Sequence, residues 1–134
     1  MTAAQISTPL PEAARRLIDG MCGFDIDKVV GVLCDTARLS AGSETYAGKP
    51  GVRKAIVQAL GWVCSIRCEP AVVWMNRNVA VIEADIECER LDRAHIAFPL
   101  TMVLRFRDHL ISEIRLVTYA PALFGSLRSL RRPT

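Results

Sequence analysis

The sequence predicts an α+β fold in which three helices pack on one face of a curved, mostly antiparallel sheet. Three observations predict it. Apolar residues recur at helical spacing up to Val63. From Ser65 onward the pattern becomes extended, with long runs that alternate between apolar and polar residues. Turn signals at Asn76-Arg77-Asn78, Leu91-Asp92-Arg93 and Arg107-Asp108-His109 divide this second half into four strands.

In chain order, residues 11–21 read as the first helix. Pro11 suits a first helical position, and Ala13, Ala14, Leu17, Ile18 and Met21 form its apolar stripe. Gly20 and Gly23 weaken its end. Asp25 is the expected N-cap of a second helix that buries Val29, Val30, Leu33 and Cys34. A short strand at 37–40 and a turn-rich loop up to Gly51 follow. Residues 52–63 read as a third helix carrying Ile56, Val57, Leu60 and Trp62. The strands are expected at 65–75, 79–90, 94–107 and 110–119.

The 134 residues suffice for one domain, 1–134, with a core at about 11–119 and a basic tail at 120–134. The net charge is +3, and Arg128, Arg131 and Arg132 account for the excess, so no nucleic-acid surface is expected. The apolar runs are too short for a membrane span, and residues 1–11 lack the features of a signal peptide, which together point to a cytoplasmic protein. The five cysteines, Cys22, Cys34, Cys64, Cys68 and Cys88, are odd in number and contain no Cys-x-x-Cys pair. Reduced, mostly buried thiols are expected, with no metal and no cofactor. His95, at a strand start, and His109, in a turn, read as structural.

Chemical interest centres on Val79–Arg90, whose alternation is strict. Val79, Val81, Glu83, Asp85, Glu87 and Glu89 share one face; Ala80, Ile82, Ala84, Ile86 and Cys88 share the other. The next strand turns Phe98, Leu100, Met102, Leu104 and Phe106 toward the helices. A hairpin with two or four loop residues puts Glu83 and Asp85 on that inner face; an odd loop puts Ile82, Ala84 and Ile86 there. Leu91-Asp92 is a poor two-residue turn, so local chemistry leaves the register open.

The order of elements resembles the ketosteroid isomerase and nuclear transport factor 2-like superfamily, with its SnoaL-like polyketide cyclases and limonene-epoxide hydrolases. The resemblance rests on Gly23-Phe24-Asp25, Asp35-Thr36-Ala37, Tyr46-Ala47-Gly48-Lys49, Leu104-Arg105-Phe106 and Ile111-Ser112-Glu113-Ile114-Arg115. It implies a cystatin-like cone with a pocket between helices and sheet, and a homodimer through the outer sheet face. Counted back from Arg105-Phe106, it puts Glu83, Asp85 and Glu87 at pocket positions, with Asp85 on the epoxide hydrolase's aspartate. Ala80, Ile82, Ala84 and Ile86, with Ala97, Val103, Val117 and Tyr119, would then form an apolar outer face that needs a partner.

The catalytic sets of the resembled enzymes do not carry over. The isomerase's base falls at Ser40 and Ala41, its oxyanion-hole tyrosine near Leu17 and its protonated aspartic acid at Met102. Neither Leu17 nor Met102 donates a side-chain hydrogen bond to an enolate. Of the hydrolase's aspartate–arginine–aspartate network only Asp85 is matched, since Glu83 holds the arginine position and the second aspartate falls near Leu116.

Glu83 and Asp85 would lie about 6.5–7 Å apart at Cα on one strand face. In a pocket they would share a proton and serve as base and acid. The competing reading makes Glu83 or Glu87 a structural partner of Arg38, Arg105 or Arg115. Lys49 and Arg53 suggest a weak anion site at the third helix. The expected cavity is lined by Leu17, Met21, Tyr46, Trp62, Phe98, Leu100, Met102 and Leu116, and takes a small apolar molecule. Two functions follow: a cyclase, hydrolase or isomerase using Asp85 as base, or a non-catalytic ligand-binding or dimerisation domain.

Overall fold

A computed structural model describes residues 9–118. The expectations for Tyr119 and the arginines of the tail lie outside the described residues. The elements run α1 (Glu12–Cys22), α2 (Ile26–Val30), β1 (Leu33–Ala41), β2 (Glu44–Ala47), α3 (Gly48–Leu60), β3 (Val63–Asn76), β4 (Val79–Arg90), β5 (His95–Arg107) and β6 (Leu110–Thr118). The six strands form one curved, unclosed sheet in the order β2-β1-β6-β5-β4-β3. All pairings are antiparallel except β1 with β6. The architecture is the α+β arrangement that the sequence predicts.

The helices begin and end for local reasons. Asp25 caps α2, its carboxylate accepting the Lys28 N–H at 3.1 Å. A Cβ on Gly20 would lie 2.8 Å from the Val29 side chain, so this glycine lets α1 and α2 approach closely. α2 is shorter than its apolar pattern suggests. Leu33 and Cys34 open β1 instead, where β-branched and apolar neighbours and pairing to β6 outweigh helical spacing. β2, expected as loop, pairs with β1 across a two-residue turn in which Gly42 supplies a positive φ of 62°.

The core lies between the helices and the inner sheet face. Ala14 and Leu17 of α1, Val29 of α2, Val52 of α3, and Ala80, Ile82, Met102, Leu104, Ile111 and Ile114 of the sheet are all buried. β3 is an edge strand with a register shift between Pro70 and Val72, where a proline is tolerated. The shift brings Cys68 and Val73, five apart, onto the inner face opposite Ile86 and Ile82. Among the described residues no helix is long and apolar enough to cross a membrane.

The β4–β5 hairpin closes on three residues, Leu91-Asp92-Arg93. The Arg90 N–H donates to the Ala94 carbonyl at 2.9 Å, and Arg93 takes a φ of 75°. A turn followed by a left-handed residue is a common form of three-residue hairpin. The loop is odd, so Ile82 pairs Met102, Ala84 pairs Leu100 and Ile86 pairs Phe98. The expected even register is therefore corrected. Glu83, Asp85 and Glu87 lie exposed on the outer face, while Ala80, Ile82, Ala84 and Ile86 are buried beneath the helices.

Candidate functional site

The inner sheet face and α1 converge on a small cavity of about 20 Å³. α1 contributes Ile18, Met21 and Cys22, β3 contributes Ile66 and Cys68, β4 contributes Ile86, and β5 contributes Leu100 and Met102. None of these side chains carries a nitrogen or oxygen atom. Of the expected lining, Met21, Leu100 and Met102 are present. Leu17 is wholly buried in the core, and Phe98 and Leu116 pack against it. Tyr46 is half-buried at the β2 edge, its hydroxyl 3.4 Å from Glu44. Trp62 follows α3, and its carbonyl accepts the Leu91 N–H at 3.1 Å.

The candidate catalytic pair is not brought to this cavity. Glu83 pairs Thr101 and Asp85 pairs Pro99 on the opposite face of the sheet, because side chains alternate strictly and the hairpin is odd. Glu87 makes an ion pair with Arg67 at 3.0 Å, so the structural pairing expected of it occurs, with a different arginine. Arg105 and Arg115 both pair with Glu113, at 3.2 and 3.1 Å. Such exposed pairs contribute little to stability.

Sequence reasoning missed Ile18, Cys22, Ile66, Cys68 and Ile86 as lining residues. The signal was partly there: Ile66 and Cys68 stand two apart in one strand, and Ile86 faces inward once the β4–β5 hairpin is odd. Burial pushes the Cys22 thiol up, opposed by a hydrogen bond from the Cys68 backbone and supported by Asp19. Burial likewise pushes the Cys68 thiol up to about 11, with Cys22 and Glu69 adding to it. All five cysteines are free thiols.

A larger recess, about 330 Å³, lies at the start of β1, between Asp35, Thr36, Lys49, Arg107 and Asp108. It is an open surface dish whose lining mixes two cations with two carboxylates. Lys49 lies 4.0 Å from Asp35, which is almost fully exposed. Lys49 therefore has a carboxylate for its nearest charged partner, not an anion site, and Arg53 stands exposed on α3. The smaller cavity is the better candidate because helix and sheet enclose it. Among the described residues no three His, Cys, Asp or Glu side chains gather as a metal site.

No family model matches the chain, and no curated protein does. Solved structures do. A protein of Catenulispora acidiphila with a ketosteroid isomerase-like fold, in complex with trimethylamine, superposes with a TM-score of 0.76 at 13% identity, over 84% of this chain and 88% of that one. TerC, co-crystallised with polyporic acid, matches with a TM-score of 0.77 at 13% identity, over 88% and 96%. A protein of Shewanella denitrificans named for the SnoaL-like polyketide cyclases matches with a TM-score of 0.75 at 12% identity, over 88% and 96%. The chain thus has the ketosteroid isomerase-like fold, which nuclear transport factor 2-like and SnoaL-like proteins share.

Proposed function

We infer that this chain is a pocket protein that binds a compact apolar molecule inside the cone and does no acid–base chemistry on it. The observation that carries this reading is the composition of the cavity wall. Eight apolar or sulfur-bearing side chains line it, and no carboxylate, imidazole or amine reaches it. General acid–base catalysis works best with a group that titrates near the working pH, and burial pushes the two thiols in the wall, Cys22 and Cys68, up and away from neutrality. Asp85 and Glu83 stand on the far side of the sheet, so the reading as a cyclase, hydrolase or isomerase loses its proposed base.

A space of about 20 Å³ admits little more than one water-sized group. A ligand of several carbons needs the lining to give way, and Met21 and Met102 are the flexible side chains that allow it. The Catenulispora neighbour's ligand, trimethylamine, has the right scale. The test is a thermal-shift and native mass-spectrometry screen of trimethylamine and small apolar alcohols and ketones. At a concentration of about 100 times the dissociation constant, a ligand should stabilise the fold by ~2.7 kcal/mol. Ile66→Phe, which fills the cavity mouth, should abolish the shift. If no compound shifts the melting point, or if Ile66→Phe leaves the shift intact, the reading fails.

The outer face supports a two-fold dimer. Trp74, Val81 and Val103 lie in register across β3, β4 and β5, with Val117 beside them on β6. Trp74 and Val117 are exposed by 40% and 56%, an apolar band of the kind that marks an interface. Glu83 and Asp85 border it along β4, and Arg115, the partner of Val103, continues the row onto β6. Sedimentation at micromolar concentration should give a dimer, and Trp74→Glu a monomer that stays folded. A wild-type monomer would refute the dimer.

A further inference from the structure

Sulfur is the distinctive chemistry of the cavity. Four of its eight lining residues carry it: Met21 and Cys22 at the end of α1, Cys68 on β3 and Met102 on β5. Each element of the wall except β4 therefore contributes a sulfur atom. The other lining residues are plain hydrocarbon, so nothing in the wall competes as a hard donor. Met102 is 1% exposed, whereas Met21, Cys22 and Cys68 are half-buried, which leaves an entry path at the α1–β3 side. The other three thiols are elsewhere. Cys34 points to the Arg107 carbonyl, Cys64 is exposed beside Glu89 and Arg90, and Cys88 is buried further along β4.

We propose that Met21, Cys22, Cys68 and Met102 form a binding site for one soft monovalent metal ion, Cu(I), at the α1–β3 mouth of the cone.

The donor set selects the ion. Thiolate and thioether together suit Cu(I), while zinc takes thiolate, imidazole or carboxylate in a closed set of four and gains little from thioethers. Calcium and magnesium need oxygen, which the wall lacks. Cavity size agrees, since the space admits about one small sphere. Charge agrees too. A monovalent ion with one thiolate is neutral, and a neutral centre is the one that an apolar wall tolerates best. On binding, the copper–sulfur bond replaces the sulfur–hydrogen bond of a thiol, and that proton leaves to solvent. Copper stays Cu(I), so no electron moves. Because a proton leaves as the copper–sulfur bond forms, affinity should rise as pH rises. The site stands whether or not the cavity also takes an organic molecule.

The experiment is an anaerobic titration of the reduced full-length protein with Cu(I) against a competing chelator. One equivalent should bind, with ultraviolet thiolate-to-copper charge-transfer absorption, and affinity should rise at least about tenfold per pH unit below neutrality. Cys22→Ser and Cys68→Ser should each weaken binding by about 100-fold or more, the upper end of what losing even an outer partner of a metal site costs. Cys64→Ser should leave it unchanged. A readout on the unaltered protein guards against misfolded variants. Loaded with one equivalent of Cu(I), it should protect Cys22 and Cys68 from alkylation, while Cys64 labels freely. No binding, a pH-independent affinity, or protection that falls on Cys64 instead would overturn the site. Failure of the organic-ligand screen alone would leave it standing.

Discussion

Ile82→Ala should cost about 3–4 kcal/mol of folding free energy, while Glu83→Ala and Asp85→Asn should each fall within about 0.5 kcal/mol of the parent. Ile82 is fully buried beneath the helices, opposite Met102 and Val73. Truncation removes three carbons and leaves a cavity that the paired strands on either side cannot collapse into. Its neighbour Glu83 points the other way and is exposed, opposite Thr101. Urea denaturation measures all three. The result discriminates two registers of the same hairpin. With the carboxylates inside, Glu83→Ala would stabilise or remake a buried network and Ile82→Ala would be nearly silent. A small loss for Ile82→Ala, or a large effect for Asp85→Asn, would contradict the pairing described here.

That contrast also explains what the sequence made legible. Period-two alternation in Val79–Arg90 identifies the strand and both its faces, and the structure reproduces its limits. The first helix, expected at 11–21, runs Glu12–Cys22, and its stripe through Ala13, Ala14, Leu17 and Ile18 is buried, with Met21 half-buried. Periodicity cannot say which face is inner, because a one-residue change in loop length exchanges them without altering the pattern. Here the deciding groups are three residues of turn and one arginine. The gapless placement back from Arg105-Phe106 assumed that relatives share loop parity, and at 13% identity a loop of this kind is free to differ. The lining cysteines were hidden for a similar reason. Cys68 reaches the inner face in a strand whose register shifts at Pro70/Val72, and bulges leave little trace in hydrophobic pattern. β2 was hidden because Glu44–Ala47 is short and polar, and its pairing to β1 supplies what its composition does not.

The arginine is Arg90, and disrupting its turn should have the second large effect. Arg90 is the one charged side chain buried among the described residues, 7% exposed, at the end of β4. Its guanidinium grips Asp92 with two nitrogens, Nε to Oδ1 at 3.0 Å and Nη2 to Oδ2. Oδ1 also accepts the Ala94 N–H at 3.2 Å, so a single carboxylate fixes both the arginine and the backbone of the odd turn. Charge-assisted, two-pronged pairing is the strong form of this interaction. The hydrogen bond from Arg90 holds the Asp92 carboxyl below the usual range, against a smaller opposing effect of desolvation. A depressed carboxylate stabilises the fold fully above its unfolded value of about 3.9, and the contribution disappears as pH falls through the lower folded value. The melting temperature should therefore be level near neutrality and fall below about pH 4, and Asp92→Asn should remove part of that acid limb. At neutral pH, Asp92→Ala should lower the melting temperature by several degrees and by more than Arg90→Met does. The first takes the two-pronged carboxylate away from a buried guanidinium, whereas the second replaces that guanidinium with an apolar side chain of similar reach and leaves Asp92 to water. Equal losses in the two variants, or an acid limb that Asp92→Asn does not touch, would show that the turn holds its three-residue form without the clamp.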